Sequence, residues 1–183
     1  DVAAGGQGAP LVPAFHQAVF GQATPRVILN LGGIANVTLL RPGQPVLGFD
    51  TGPANLLLDL WCARHTGKPF DKNGQWAASG KVNATLVQDL LDSDPWFAAS
   101  PPKSTGRDQF NAKWLDERLS SLTSASPECG WSAADIQATL VALTARSVTH
   151  ALDVIGACDL PIFACGGGAR NKFLLSQLAS LHR

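Results

Sequence analysis

The sequence predicts an α/β domain in which a mixed sheet is layered with helices. Three observations carry that expectation. Three strand-like runs follow one another between residues 27 and 50, divided by Gly- and Pro-rich turns. A long stretch from Ser132 repeats its apolar residues at helical spacing. After it come a further apolar run, a glycine triplet and an amphipathic segment, which is the pattern of a strand entered and left through helices.

The elements follow in order. Leu11, Ala14, Phe15, Ala18 and Val19 share one helical face over 10–20, with Pro10 where a missing N–H costs nothing and Gly21 as the stop. Residues 27–31, 35–40 and 46–50 read as strands, and Gly32-Gly33 and the Pro/Gly segment 41–45 as the turns of an antiparallel meander. Thr51-Gly52-Pro53 is expected to open a helix running to about His65, burying Leu56, Leu57, Leu60 and Trp61 and ending at Gly67. The region 68–130 differs: it holds Pro69, Asn73-Gly74, Asp94-Pro95, Pro101-Pro102 and three of the five tryptophans, and reads as a helical insertion with helices near 81–92 and 111–122. Ser132 and Asp135 form a capping-box pattern before a helix carrying Ile136, Leu140, Leu143, Val148, Leu152 and Ile155 up to Gly156. Residues 160–165 read as a strand and Gly166-Gly167-Gly168 as a turn. From Asn171 a helix is expected with Leu174, Leu178 and Leu181 on one face. Three antiparallel strands followed by a strand with helical crossovers give the mixed sheet.

Composition narrows the function classes. Fourteen basic residues balance fourteen acidic ones in 183, and charged residues make up only 15%. That argues against nucleic-acid or membrane-surface partners, which call for basic excess. No apolar run approaches the ~20 residues of a membrane span, and the first five residues carry no basic or apolar leader pattern. Cys62, Cys129, Cys158 and Cys165 form no C-x-x-C pair and have no His at zinc spacing, so they read as buried thiols in a reducing compartment, and no protein metal site is expected. His16, His65 and His150 read as structural. The chain has no Met and begins within a Gly-rich segment, so it is expected to be a piece of a longer protein.

Four turns could carry chemistry: Gly5-Gly6-Gln7-Gly8, the segment from Asn30 through Gly32-Gly33 to Asn36, the segment 48–55, and Gly166-Gly167-Gly168-Ala169-Arg170-Asn171. Glycine lets a backbone approach a ligand closely, and successive N–H groups cradle phosphate oxygens. Two of the turns sit at strand-to-helix junctions, where ligands of α/β sheets collect. Neither a P-loop nor a Rossmann spacing is present, so a bound nucleotide would need another fold. Asp50 either caps the helix that follows or lines a cleft.

Read in order, Asp1-Val2-Ala3-Ala4-Gly5-Gly6-Gln7-Gly8-Ala9-Pro10, Asn30-Leu31-Gly32-Gly33-Ile34-Ala35-Asn36, Phe49-Asp50-Thr51-Gly52-Pro53-Ala54-Asn55, Lys103-Ser104-Thr105-Gly106-Arg107-Asp108 and Cys165-Gly166-Gly167-Gly168-Ala169-Arg170-Asn171 resemble the anhydro-N-acetylmuramic acid kinase family. The resemblance covers essentially the whole chain. It implies the hexokinase/actin/Hsp70 superfamily, in which ATP lies between two RNase H-like domains (the actin-like ATPase fold). Residues 1–183 would be the second of these, with the insertion at about 68–130. The first domain, with its Gly-Thr-Ser-x-Asp-Gly phosphate loop, and the last helices would lie outside this sequence.

The implied reaction opens the 1,6-anhydro ring of the sugar by hydrolysis and transfers the ATP γ-phosphoryl group to O6, with Mg²⁺, giving N-acetylmuramate 6-phosphate in peptidoglycan recycling. By position, Asp1 matches the general base, and Gly5, Gly6 and Gln7 the sugar site. Asn30, Gly32 and Gly33 match the second phosphate loop. Gly166, Gly167, Gly168 and Asn171 match the adenosine motif, while Asp50 and Gly52 line the same cleft near phosphates or sugar. Lys103 to Arg107 either touch sugar or brace the insertion. The resemblance further implies a cytoplasmic homodimer acting on small molecules. Two other readings stand beside it: another sugar kinase of the superfamily, and a non-catalytic ATP-binding or dimerisation module using tryptophans of the insertion as a partner surface. The 183 residues are expected to fold and to bind nucleotide weakly without catalysing alone.

Overall fold

The computed structural model describes residues 24–125 and 130–182. The helix expected over 10–20 lies outside them. Strands β1 (Arg26–Leu31), β2 (Ile34–Leu40) and β3 (Leu47–Pro53) form the antiparallel meander, and β4 (Ile162–Cys165) joins β1 in parallel, so the strand order is β3-β2-β1-β4. This is the expected mixed sheet. Alternation along β1 and β2 sends Val27, Leu29, Leu31, Val37 and Leu39 into one continuous core. Ile28, Thr38 and Leu40 are also buried, so the two central strands are covered on both faces.

β3 runs three residues past its expected end. Gly52 and Pro53 pair with Ala35 and Ile34 beyond a bulge at Ala35/Asn36, although their residue types read as strand breakers in sequence. Helix α1 (Asn55–Thr66) therefore starts later than predicted. It buries Leu57, Leu58, Trp61 and Cys62, while Leu56 and Leu60 are only half-buried. Gly67 ends it as expected, in a left-handed conformation (φ 71°) with its N–H donated to Ala63 O at 3.0 Å.

Two 3₁₀ turns (Lys72–Gly74 and Ala77–Ser79) lead to α2 (Ala84–Asp92) and α3 (Ala112–Ala125). Asn83 caps α2 by accepting from Leu86 N. Phe110 is fully buried among Trp96, Phe97 and Trp114, with ring centroids 5.1–5.6 Å away. These residues, with Leu86, Val87, Leu90 and Leu115, belong to the same core as the sheet. None of the five tryptophans is exposed, which removes the expected partner surface: Trp61 Nε1 donates to Ala133 O, Trp96 Nε1 to Ser104 O and Trp114 Nε1 to Asp94 Oδ2.

Helix α4 (Ala133–Val154) crosses beneath the sheet and has the predicted capping box, Ser132 Oγ accepting from Asp135 N and the Asp135 carboxylate from Ser132 N. α5 (Lys172–Leu181) buries Leu174 and Leu178, whereas Leu181 at its C-terminal end is 41% exposed. Cys62 is buried, Cys158 half-buried and Cys165 exposed, and all three are free thiols. Cys165 departs from the buried reading because β4 is an edge strand. No helix among the described residues is long and apolar enough to cross a membrane.

Candidate functional site

The site is built where β1 and β4 end side by side. β1 turns at Gly32-Gly33, and the carbonyls of that turn accept the first amides of α1: Asn55 N reaches Gly32 O at 3.1 Å, and Ala54 N and Leu56 N reach Gly33 O at 2.9 and 3.0 Å. Asn55 Nδ2 adds a bond to Leu31 O at 2.9 Å. The start of α1 is thereby clamped to the turn. On the other side Asn30 pairs with Cys165, and Gly166 follows with φ 82° and ψ 179°, a conformation reserved for glycine. A Cβ on Gly166 would lie 2.6 Å from Asn30 Oδ1 and 2.8 Å from Leu31 O, so the glycine loop packs directly on the backbone of β1. The Gly167–Arg170 turn then leads to Asn171, whose Oδ1 accepts Leu174 N at 3.0 Å and caps α5.

Beside this junction lies a cavity of about 500 Å³. One wall is α1, through Asn55, Leu58 and Asp59; the floor is Gly167, Gly168, Arg170 and Asn171; the far wall is the segment from Phe70 to Asn73. The Asp71 carboxylate shapes that wall by accepting Trp76 N and Ala77 N, both at 2.9 Å. Asn73 takes a left-handed conformation (φ 59°), and Gly74 packs against the Asn171 side chain and Phe173 with no room for a Cβ. Asp59 has no hydrogen-bond partner among the described residues, and burial alone pushes its carboxyl above the ordinary carboxylate range. The cavity thus combines apolar surface from Leu58 and Phe70, two cations (Lys72 and Arg170), side-chain amides and one unused carboxylate. Such a lining suits a flat, polar-edged ligand that carries negative charge.

A second polar group lies across the sheet. Asn30 pairs with Asn36, and Asn36 with Asp50, so the three share one face. Asp50 is buried; its N–H donates to Lys103 O at 3.0 Å, and its carboxylate accepts Ser104 Oγ at 2.9 Å and Thr105 N at 3.0 Å. Burial raises its pKa, and the bonds from Thr105 and Ser104 oppose that rise. Asp50 does not cap α1: it sits within β3, and the residue before the helix, Ala54, supplies no side-chain cap. The Lys103 ammonium donates to Trp96 O and Phe97 O at 3.0 and 2.8 Å and stands 4.3 Å from the Trp96 ring centre, with its pKa lowered by burial. Residues 103–105 form a strap that holds Asp50 to the aromatic cluster. Beside it the buried Asn36 Oδ1 has no hydrogen-bond partner among the described residues.

Of the residues singled out in the sequence, Asn30, Gly32, Gly33, Gly166, Gly167, Gly168 and Asn171 come together at the ends of β1 and β4. Gly167, Gly168 and Asn171 line the cavity. Asp50 and Gly52 do not; Gly52, opposite Ala35, faces Phe97 and Ser147 on the core side. Asp1, Gly5, Gly6, Gln7 and His16 lie outside the described residues. His65 packs on Trp61 with ring centroids 4.0 Å apart. Among the described residues no three His, Cys, Asp or Glu side chains converge in a way that would hold a metal ion. Sequence reasoning missed Asp59, Phe70, Lys72, Asn73 and Arg170 as lining residues. Asn73-Gly74 was legible only as a turn, and nothing local ties it to a loop about a hundred residues on.

Known proteins resemble the chain closely. The family model described as anhydro-N-acetylmuramic acid kinase matches residues 1–182. The anhydro-N-acetylmuramic acid kinase of Bordetella petrii is 58% identical over 179 residues, covering 98% of this chain and 46% of that protein. That of Pasteurella multocida is 51% identical over 185 residues, covering 99% and 47%. The chain spans about half the length of these curated relatives. Among solved structures, the activator of the 2-hydroxyisocaproyl-CoA dehydratase from Clostridium difficile with bound ADPNP aligns with a TM-score of 0.47 and 19% identity, over 88% of this chain and 53% of that one. A match to the family model over nearly every residue, joined to more than half identity with named members, makes this chain a member of the anhydro-N-acetylmuramic acid kinase family.

Proposed function

We propose that the protein carrying this chain is an ATP-dependent sugar kinase that opens 1,6-anhydro-N-acetylmuramic acid by hydrolysis and phosphorylates its O6. Family membership supports the acceptor. The nucleotide half of the reading rests chiefly on one observation. The glycine loop after β4 packs on the backbone of β1 beside the Gly32-Gly33 turn and opens onto the cavity bounded by α1. About 500 Å³ falls within the range of small-ligand pockets, and the mixed lining of cations, amides and apolar surface fits a nucleotide.

In this reading Asn30, Gly32 and Gly33 serve the phosphates, while Gly166, Gly167, Gly168 and Asn171 form the floor under adenosine. Bound ATP supplies the γ-phosphoryl group, with Mg²⁺ held through phosphate oxygens and water. Asp1 takes the proton of the water that attacks the anomeric carbon, with Gly5, Gly6 and Gln7 beside the sugar. The bond from that carbon to O6 breaks, and O6 accepts the phosphoryl group. The Asp50 row, with Asn36 Oδ1 unpaired, fits the polar floor between phosphates and acceptor. A domain of this kind is the second of two RNase H-like halves, with 68–130 as its insertion, in a cytoplasmic homodimer serving peptidoglycan recycling.

The test is a coupled assay at the relatives' full length. ATP and the anhydro sugar are expected to yield ADP and N-acetylmuramate 6-phosphate, and Asp1→Asn to abolish turnover while leaving ATP binding intact. ATP binding with turnover of a different sugar would replace the acceptor.

A further inference from the structure

The cavity contains a carboxylate that the fold leaves unused. Asp71, the other acid in its lining, engages both oxygens with the amides of Trp76 and Ala77. Asp59 is half-buried and has neither a hydrogen bond nor an ion pair among the described residues, and its burial raises its pKa. An ionised carboxylate only accepts hydrogen bonds, so its complement must be an O–H or N–H brought by the ligand. It cannot face phosphate oxygens, which would add like charge in a partly dry site.

Its position along α1 narrows the choice. Asn55 and Asp59 are four residues apart on one helical face, about 6 Å along the axis. Asn55 is bonded to Leu31 O at the turn assigned to the phosphates. One helical turn farther on, a nucleotide with its phosphates at that turn presents its sugar. A vicinal diol offers two O–H donors at a spacing that matches two carboxylate oxygens.

We infer that Asp59 accepts the 2′- and 3′-hydroxyls of the bound nucleotide, making this half of the protein selective for ribonucleotides over 2′-deoxyribonucleotides. The inference rests on the nucleotide reading above and names the residue that reads the sugar. The rest of the lining is consistent with it. Asn171 already bonds Leu174 N, and Arg170 and Lys72 carry donors only, so among the described residues Asp59 is the one ionised acceptor left open in the cavity. Two O–H donors would also relieve the desolvation it bears in the free protein.

The test measures affinities for ATP, 2′-deoxyATP and purine riboside triphosphate, which lacks the 6-amino group. Calorimetry on the 183-residue chain, and on the same chain within a protein of its relatives' length, compares the native residue with Asp59→Asn and Asp59→Ala, after a melting curve verifies folding. The native protein is expected to prefer ATP to 2′-deoxyATP by about tenfold or more, the size of a hydrogen bond to a charged group. Asp59→Ala, which removes both bonds, should weaken ATP by more than that factor, weaken 2′-deoxyATP by less because only its 3′-hydroxyl bond is lost, and bring their ratio close to one; Asp59→Asn should fall between. Equal native affinities for ATP and 2′-deoxyATP, or a preference that survives in Asp59→Ala, overturn the inference while sparing the nucleotide reading. If Asp59→Ala instead cancels a preference for ATP over purine riboside triphosphate, the carboxylate reads the base and the ribose assignment is wrong. Failure of the folded native protein at both lengths to bind any of the three removes the nucleotide reading and this inference together.

Discussion

Replacing Gly166 with alanine tests the junction on which the site depends. At φ 82° and ψ 179° the backbone occupies a region essentially closed to residues with a Cβ, at a cost of about 1–3 kcal/mol. The added methyl would also stand 2.6 Å from Asn30 Oδ1, 2.8 Å from Leu31 O and 2.9 Å from Leu31 C. Asn30 can swing its side chain away, but Leu31 is central-strand backbone and cannot yield without disturbing β1. Overpacking of this kind adds roughly 1–3 kcal/mol. Together the two effects come to about 4 kcal/mol, which for a domain of this size lowers the melting temperature by on the order of 10 °C. Gly167→Ala is the matched control, because its Cβ would find only Asn55 Nδ2 at 3.6 Å, an ordinary contact. Urea unfolding of the native chain and both variants reads the difference directly. Equal stability of the two variants would refute the close approach of the glycine loop to β1.

Other outcomes follow from the same geometry. Burial raises the Asp50 pKa, so the folded chain holds this proton more tightly than the unfolded one; the stabilisation it confers is complete below the ordinary carboxylate range and is lost as pH rises through the folded value. Asp135 has the opposite sign: the Lys81 amide, followed by Ser132, lowers its pKa, so its contribution is present above the ordinary value and lost as pH falls through the folded one. Unfolding measured between about pH 3 and 7 should therefore show a shallower high-pH decline in Asp50→Asn and a smaller acid-side loss in Asp135→Asn. Phe110→Ala removes the centre of the aromatic cluster and should cost about 3–5 kcal/mol in denaturant unfolding, a value that a peripheral cluster would not reach. Asn171→Ala deletes the α5 cap and should cost about 1 kcal/mol, with the loss concentrated in amide exchange of 172–175. A double-mutant cycle on the exposed Arg64–Asp116 pair should give a coupling below about 1 kcal/mol despite its two-pronged geometry.

Much of this fold was legible because local chemistry and tertiary context agree. The meander is written in apolar runs separated by Gly32-Gly33 and 41–45, and α4 in its capping box and apolar spacing. Disagreement begins where pairing overrides residue type: Gly52 and Pro53 look like breakers, yet a bulge at Thr51, opposite Ala35/Asn36, lets both extend β3. The role of Asp50 could not be decided locally, since the groups that bond it lie more than fifty residues away in the strap 103–105. The site was half visible for the same reason. Its glycines announce themselves by conformation and motif, whereas Asp59 and Phe70 are ordinary residues until α1 and the 70–73 segment are brought to opposite sides of one cavity. Arg170 lay inside a recognised string, but its exposure to the cavity depends on the turn that follows Gly166.

The most direct test of the nucleotide pocket is photolabelling with 8-azido-ATP followed by mapping of the modified peptides. Labelling that ATP competes away, confined to peptides containing 70–73 or 167–171, is the expected result. ATP-protected labelling at other segments, or labelling that ATP does not diminish, would contradict the assignment of this cavity to the nucleotide.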